Sequence, residues 1–284
     1  MTPTLAPPPV RSSKYHHAIS TPETLLTAWV QVRNNAAARG ELPKSIETFA
    51  KSAFDQIEEL SRQLRTGTLE LHQLTPVRIK KPHGGVRQLH LPSVRDRVVE
   101  RAILNEISPV VDMKMSPMSF AYRAGTTTGH AAQTLRELGT EGIEPLFRTD
   151  ITDCFGSIDM EAAIALLDSW INDAGLASLL RQLAQRSVRG QNGAYPGLPQ
   201  GAPLSPLLSN VYLTQFDNAV SNRGVAMVRY ADDIAALATQ DSSLRDAEQI
   251  IEEEANRLSL RKTNAFSRSR NRGSNASSHS DHYQ

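Results

Sequence analysis

The sequence predicts an α+β fold in which a small antiparallel sheet is flanked by helices. Segments with apolar residues at helical spacing alternate with a few short apolar strands, several of them joined by hairpins. The hydrophobic content is 39% over 284 residues, which is enough for a packed core in one large domain or two small ones. The net charge of +1 does not by itself indicate a nucleic-acid partner.

Cysteine usage and hydropathy restrict the compartment. Cys154 is the single cysteine, so an internal disulfide is excluded and an intracellular chain is expected. The sequence has no run of 18 apolar residues and no apolar signal-peptide core at its beginning. We therefore expect a cytoplasmic protein that does not interact with membranes.

The first half of the chain is predicted to be mainly helical. Residues 1–20 are rich in Pro and Ser and are predicted to be disordered. Thr21 is a good N-cap for the first helix, with Pro22 at its first position. Later elements are a helix at 45–66 ended by Gly67, strands at 77–81 and 86–91 around a Gly-Gly turn, and helices at 96–107 and 126–138.

The second half contains the predicted central sheet. A short strand ends near Asp150, and Asp159 is expected to cap the next helix. Two strands, 225–230 and 234–238, flank a tight turn at Ala231 and Asp232. Helices are predicted at 177–189, 205–222 and 242–258, and the residues after 266 lack apolar periodicity.

Three carboxylates are predicted to lie at strand ends. Asp232 and Asp233 are adjacent, and adjacent carboxylates repel each other unless a cation lies between them. For this dipeptide alone a solvated turn is the simpler interpretation. Asp150, near the end of another apolar strand, shifts the interpretation towards a cation site.

Three motifs occur in a characteristic order. They are the Asp-Ile-x-x-Cys-Phe-x-x-Ile box from Asp150, the Pro-Gln-Gly-x-Pro-x-Ser-Pro box from Pro199, and the Tyr-Ala-Asp-Asp box from Tyr230. Over roughly residues 21 to 263 the chain resembles reverse transcriptases of the bacterial group II intron type and their CRISPR-associated relatives. The resemblance implies the fingers and palm of a polymerase right hand, with a carboxylate-bearing hairpin in the palm.

The resemblance also implies a division into domains. Fingers are expected at 21–140 with part of 170–199, and the palm at 141–263. A disordered or aberrant tail is expected at 264–284, with the helical thumb of the family apparently missing after Phe266.

By resemblance, Asp150, Asp232 and Asp233 are the catalytic residues. Together with the carbonyl of Ile151 they would hold two Mg²⁺ ions, with Mn²⁺ as an alternative, for transfer of a nucleotide to a primer 3′-hydroxyl. Nucleotide-binding roles are implied for six further residues: Lys81, Arg87, Phe155, Gln200, Gly201 and Lys262.

Simpler interpretations exist for several of these residues. Lys81 and Arg87 have the chemistry to hold phosphates, but they could also be ordinary exposed cations of a hairpin. Phe155 matches the aromatic residue that excludes a 2′-hydroxyl, and outside its box it would be read as a core residue. The basic stretch between Pro76 and Arg101 fits a phosphate-contacting surface and a solvated face about equally.

The sequence thus predicts an RNA-directed DNA polymerase that uses an RNA template, a DNA primer and dNTPs. The alternatives are a truncated product and a maturase-like protein that binds RNA without polymerising. A group II intron, CRISPR spacer capture and antiviral phage defence are the three settings considered. Intron RNA or CRISPR adaptation proteins are the corresponding partners.

Overall fold

The structure is a computed structural model that describes residues 13–38, 40–80, 84–139, 145–237, 241–263 and 269–270. Its helices are α1 (Lys14–Ile19), α2 (Pro22–Ala37), α3 (Lys44–Ala50), α4 (Ala53–Thr66), α5 (Val94–Asp112), α6 (Thr128–Leu138), α7 (Cys154–Ser157), α8 (Met160–Ile171), α9 (Ala174–Ala184), α10 (Ser205–Asn222) and α11 (Asp241–Arg257). Its strands are β1 (Thr75–Lys80), β2 (Val86–Leu91), β3 (Pro145–Asp150), β4 (Ala226–Tyr230), β5 (Asp233–Leu237) and β6 (Ser269–Arg270). These mixed helices and small antiparallel sheets confirm the predicted α+β class.

The chain divides into two compact units. The first contains the described residues within 1–115 and those of 153–214, and the second contains the described residues within 116–152 and 215–284. Helix α10 begins in the first unit and ends in the second. The predicted fingers and palm boundaries remain a prediction.

The first unit is a helical assembly with one two-stranded sheet. Helix α5 packs against α2, α1, α3 and α8, and its buried residues include Val98, Ile103 and Ile107. Strands β1 and β2 form an antiparallel hairpin in which Thr75 pairs with Leu91 and Lys80 pairs with Val86. This hairpin is the one predicted around the Gly-Gly turn.

The second unit is built on a four-stranded antiparallel sheet in the order β4-β5-β3-β6. Helix α6 packs against β4 and β5, and α11 packs against β3 and β5. Phe147 on β3 and Ala236 on β5 are fully buried. Because β5 lies between β4 and β3, the ends of these three strands meet at one edge.

Several predicted helix ends are confirmed by their capping contacts. The Thr21 side chain accepts a hydrogen bond from the backbone N–H of Thr24, and Pro22 opens α2. Asp159 accepts from the N–H groups of Glu161 and Ala162 at the start of α8. Gly67 ends α4 in the left-handed conformation, with φ of 67°.

Other boundaries differ from the prediction. Helix α1 lies inside the stretch predicted to be disordered, because Ile19 is buried and Asp173 accepts the N–H of Tyr15 at 2.8 Å. Neither contact has a local sequence signal. Strand β6 likewise falls in the predicted tail, whose other residues after 263 lie outside the described ranges.

The single helix predicted at 45–66 is two helices. Ser52 separates α3 from α4 with φ of −133° and ψ of 32°, which lie outside the helical region. The break lets α3 pack on α5 while α4 packs mainly on α2. Helical periodicity continues across the break, so the sequence pattern does not reveal it.

Across the described residues, no helix is both long enough and apolar enough to cross a membrane.

Candidate active site

The Asp232–Asp233 pair lies in the turn between β4 and β5. Tyr230 and Asp233 are register partners, so Ala231 and Asp232 form a two-residue turn as predicted. Ala231 has φ of 61°, a left-handed conformation that few residues with a Cβ adopt. The strand pairing therefore fixes a turn that holds Asp232 beside the sheet end.

Strand β3 brings the third carboxylate to the same edge. Asp150 is the register partner of Asp233 across the β3–β5 ladder. One residue further on, the N–H of Ile151 donates to the carbonyl of Asp232 at 3.1 Å. The second unit therefore brings Asp150, Asp232 and Asp233 together, as the sequence predicted.

The three carboxylates influence one another electrostatically. Desolvation raises the pKa of Asp233, and repulsion from Asp232 and Asp150 raises it further, while Arg148 opposes the change. Asp233 is nevertheless exposed, and Asp150 and Asp232 are half-buried. The site is thus an accessible concentration of negative charge at the end of a sheet.

Asp150 is fixed from a second side by residues 261–263. The hydroxyl of Thr263 donates to Oδ1 of Asp150, and the N–H of Thr263 donates to the Asp150 carbonyl at 2.9 Å. Lys262 forms an isolated bridge with Ile151. Thr263 follows directly after the predicted site residue Lys262, but no role was predicted for Thr263 itself.

Lys262 is predicted to bind nucleotide, and the structure places it against α11. Its Nζ lies 3.3 Å from Oε1 of Glu248 and 3.1 Å from Oε2 of Glu252, and its side chain is 6% exposed. The nucleotide-binding role of Lys262 remains a prediction.

The oxygen-rich composition of the carboxylate edge fits a hard divalent cation such as Mg²⁺. Within the described parts of the chain, no three His, Cys, Asp or Glu side chains are grouped so that they could hold a metal ion by themselves. Mg²⁺ is commonly bound through one or two carboxylates, with substrate phosphates and water completing its shell. The edge therefore fits an ion that arrives with a phosphate ligand.

Among the remaining predicted nucleotide-binding residues, those that the structure describes belong to the first unit. Lys81 lies outside the described residues, and Arg87 is exposed on β2 opposite Ile79. The carbonyl of Gln200 accepts the N–H of His90 at 2.8 Å. Gly201 has a φ of 107°, a conformation that residues with a Cβ rarely adopt, and an added Cβ would lie 2.6 Å from the side-chain atom Cδ2 of Leu91 on β2.

The loop of residues 197–201 also contacts the backbone of Phe155. The carbonyl of Phe155 accepts the N–H of Leu198 at 2.8 Å, and its side chain is half-buried. A Cβ on Gly197 would lie 2.7 Å from the carbonyl oxygen of Gly156. Residues 197–201 therefore connect Phe155 to β2, the strand that carries Arg87.

Sequence reasoning also missed a residue at the turn that contains Asp232. Arg229 lies next to Tyr230 in the motif, and its side chain contacts the turn from inside the second unit. The available signal was an arginine in a strand whose other residues are mostly apolar.

Comparison with known proteins identifies the family. Residues 79–271 match the family described as "Reverse transcriptase (RNA-dependent DNA polymerase)". The chain is 29% identical over 178 residues to the Putative COX1/OXI3 intron 1 protein of Saccharomyces cerevisiae, covering 61% of this chain and 21% of that protein. It is 25% identical over 218 residues to the Group II intron-encoded protein LtrA of Lactococcus lactis subsp. cremoris, covering 73% and 35%.

A solved structure shows the same fold. It is titled "Partial Cas6-RT-Cas1--Cas2 complex", with a TM-score of 0.53 and 20% identity over 90% of this chain and 45% of that one. The chain therefore spans less than half the length of each of these three proteins.

Proposed function

The chain belongs to the reverse transcriptase family, and we propose that it extends the 3′-hydroxyl of a DNA primer with dNTPs on an RNA template. The observation that carries this proposal is the register pairing of Asp150 with Asp233, beside a turn that contains Asp232. A protein that only binds RNA has no need for three carboxylates at one sheet edge, since they repel phosphates unless a cation is present.

In this proposal Asp150, Asp232 and Asp233 hold divalent cations, with Mg²⁺ as the expected ion and the carbonyl of Ile151 as a further ligand. Two such ions, when bound, would neutralise charge on the attacking and leaving oxygens of the phosphoryl transfer. Thr263 holds one oxygen of Asp150, which leaves the second oxygen available as a ligand.

The first unit supplies the proposed nucleotide contacts. Arg87 offers a planar fork for phosphate oxygens, and Lys81 offers a point charge. Phe155, held by its carbonyl bond to Leu198, would pack against the sugar and exclude a 2′-hydroxyl. Further nucleotide contacts are proposed for Gln200, Gly201 and Lys262.

The setting we propose is a group II intron or related bacterial retroelement, because the matched proteins include an intron-encoded one. Intron RNA is the corresponding partner. CRISPR adaptation and phage defence are the alternative settings.

The test is dNTP incorporation on a primed RNA template, with Mg²⁺ varied. Wild type is compared with Asp150→Asn and Asp232→Asn, which remove one charge each with little change in shape. Asp246→Asn is the matched control, because Asp246 is an exposed carboxylate on α11 in the same unit.

We expect incorporation by wild type and Asp246→Asn and a loss of roughly 10³-fold or more in the two site variants. A folded wild type that binds the primed RNA but incorporates nothing would overturn the proposal. That outcome would support the alternative of an RNA-binding protein without polymerase activity.

A further inference from the structure

Arg229 is the largest fully buried side chain of the described residues, with 0% exposure. Its Nε and Nη2 donate to the two carboxylate oxygens of Asp217 on α10, at 2.8 and 2.7 Å. Asp217 is also 0% exposed. Desolvation of two charges can cost as much as their attraction returns, so a buried pair of this kind is weak evidence for a purely stabilising role.

The rest of the guanidinium reaches the catalytic turn. Its Nη1 donates to the carbonyl of Ala231 at 2.8 Å, and its Nη2 also donates to the hydroxyl of Ser119 at 2.9 Å. Asp217 and Ser119 therefore fix the Arg229 guanidinium, which in turn donates a hydrogen bond to the Ala231 carbonyl.

The backbone of Arg229 is fixed as well. Its N–H donates to the carbonyl of Met118 at 2.8 Å, and its carbonyl accepts the N–H of Phe120 at 3.0 Å. The segment around Ser119 thus lies along β4 as a short parallel neighbour. Arg229 has little freedom in either its backbone or its side chain.

The position of the Ala231 carbonyl matters because of peptide geometry. That oxygen and the N–H of Asp232 belong to one planar peptide unit. A hydrogen bond to this oxygen therefore restricts the orientation of the Ala231–Asp232 peptide plane, and with it the position of the Asp232 backbone. Ala231 has φ of 61°, which costs free energy for a residue with a Cβ, so the turn needs contacts that favour this conformation.

We propose that Arg229 is a positioning residue for the catalytic turn. Its paired contact with Asp217 holds the guanidinium so that Nη1 fixes the Ala231–Asp232 peptide, and this directs Asp232 towards the edge shared with Asp150 and Asp233. The inference rests on the proposed function. Lysine cannot replace arginine here, because one ammonium cannot span a carboxylate, a hydroxyl and a carbonyl in the plane of a guanidinium.

The test compares wild type with Arg229→Lys, Asp217→Asn and Ser119→Ala. Arg223→Gln is the matched control, since Arg223 pairs with Glu253 and Glu254 in the same unit but does not contact the turn. Each variant is first checked for a cooperative unfolding transition. Two readouts follow: the Mg²⁺ concentration that gives half-maximal dNTP incorporation, and Mn²⁺ affinity by electron paramagnetic resonance.

The Mn²⁺ measurement uses the complex with a dideoxy-terminated primer, an RNA template and dNTP, so that it does not depend on turnover. We expect folded Arg229→Lys and Asp217→Asn to weaken Mn²⁺ binding and raise the Mg²⁺ midpoint roughly 10-fold or more. Ser119→Ala removes one hydrogen bond and keeps the ion pair, so it should shift both values in the same direction by about 2- to 5-fold. The control should stay within about 2-fold of wild type.

Folded Arg229→Lys with wild-type values in both readouts would overturn the inference. If Arg229→Lys and Asp217→Asn do not fold, unchanged values for Ser119→Ala would overturn it instead. Failure of the proposed function looks different, because wild type itself would then incorporate no dNTP.

Discussion

Lys262 Nζ lies 3.3 Å from Oε1 of Glu248 on α11, so this ion pair holds the segment that follows α11 against that helix. Because the lysine side chain is 6% exposed and Glu248 is 22% exposed, this pair is shielded better than a surface ion pair. Glu252 is a second acceptor at 3.1 Å, but it is 54% exposed and should contribute less.

Removing the Lys262 charge should therefore destabilise the second unit. Lys262→Met keeps most of the aliphatic stem, and we expect a loss of about 1–2 kcal/mol in the free energy of unfolding. Urea denaturation of Lys262→Met, Glu248→Gln and the double variant measures the coupling between the two residues. If the two single changes lower the free energy of unfolding by amounts that simply add in the double variant, Lys262 and Glu248 do not stabilise each other and the prediction is wrong.

A second prediction concerns the buried pair of Arg186 and Glu100 in the first unit. Their Nη2 and Oε1 atoms are 2.7 Å apart, with side chains 3% and 1% exposed, and Glu100 also accepts the N–H of Leu204 at 3.2 Å. Arg186→Met should cost about 3–5 kcal/mol in the free energy of unfolding, because it leaves a buried carboxylate without its counter-charge.

The pH dependence of this variant has a definite sign. Burial raises the pKa of Glu100, and Arg186 opposes the change. Without Arg186, the Glu100 carboxyl binds its proton more strongly in the folded state than in the unfolded state. The variant therefore keeps more of its stability at low pH and loses it as the pH rises. The deficit of Arg186→Met relative to wild type should be larger at pH 8 than at pH 5. A deficit that is independent of pH would contradict this account.

A third prediction concerns the backbone contact behind Phe155. Gly197→Ala would place a Cβ 2.7 Å from the Gly156 carbonyl oxygen and 2.8 Å from that of Phe155, so the backbone must shift. We expect a loss of about 1–3 kcal/mol in stability. If Phe155 selects the sugar, incorporation of rNTPs relative to dNTPs should also rise.

Gly129→Ala is the control for this change. Gly129 lies in helix α6, where alanine is tolerated, and its added Cβ would lie 3.4 Å from Oγ1 of Thr127, the N-cap residue of that helix. Wild-type stability and sugar discrimination in Gly197→Ala would show that the loop yields without moving Phe155.

A fourth prediction concerns His16 on α1. Burial lowers its pKa, with Asp173 opposing and His17 lowering it further. Well above the ordinary histidine pKa of about 6.5 the residue is mainly neutral in both states, and near and below that pH the unfolded chain takes up the proton first. Wild type should therefore lose stability relative to His16→Gln as the pH falls from about 7.5 to about 5.5. The free energy of unfolding of both proteins is measured by urea denaturation at each pH. Parallel dependences on pH for the two proteins would contradict this prediction.

The sequence predicts the carboxylate edge well because each carboxylate has a local signal. Asp150 ends one strand, Asp232 lies in the turn after a second and Asp233 begins a third, and antiparallel pairing of such strands brings their ends together. The hairpin of β1 and β2 is equally visible through its turn residues.

The features that the sequence does not reveal depend on distant partners. The burial of Arg229 needs Asp217 and Ser119, and helix α1 needs Asp173. The break at Ser52 reflects which helix each half packs on. None of these contacts has a periodic signature, so local patterns could not predict them.

The pairing of β3 with β5 also has a consequence for biosynthesis. Asp150 leaves the ribosome before Asp233, by a delay on the order of ten seconds at typical rates of synthesis. Until β5 is synthesised, β3 cannot pair with it. Phe147, which is buried in the folded protein, therefore stays more exposed to solvent during this interval. The nascent second unit should therefore be most prone to aggregation in this interval.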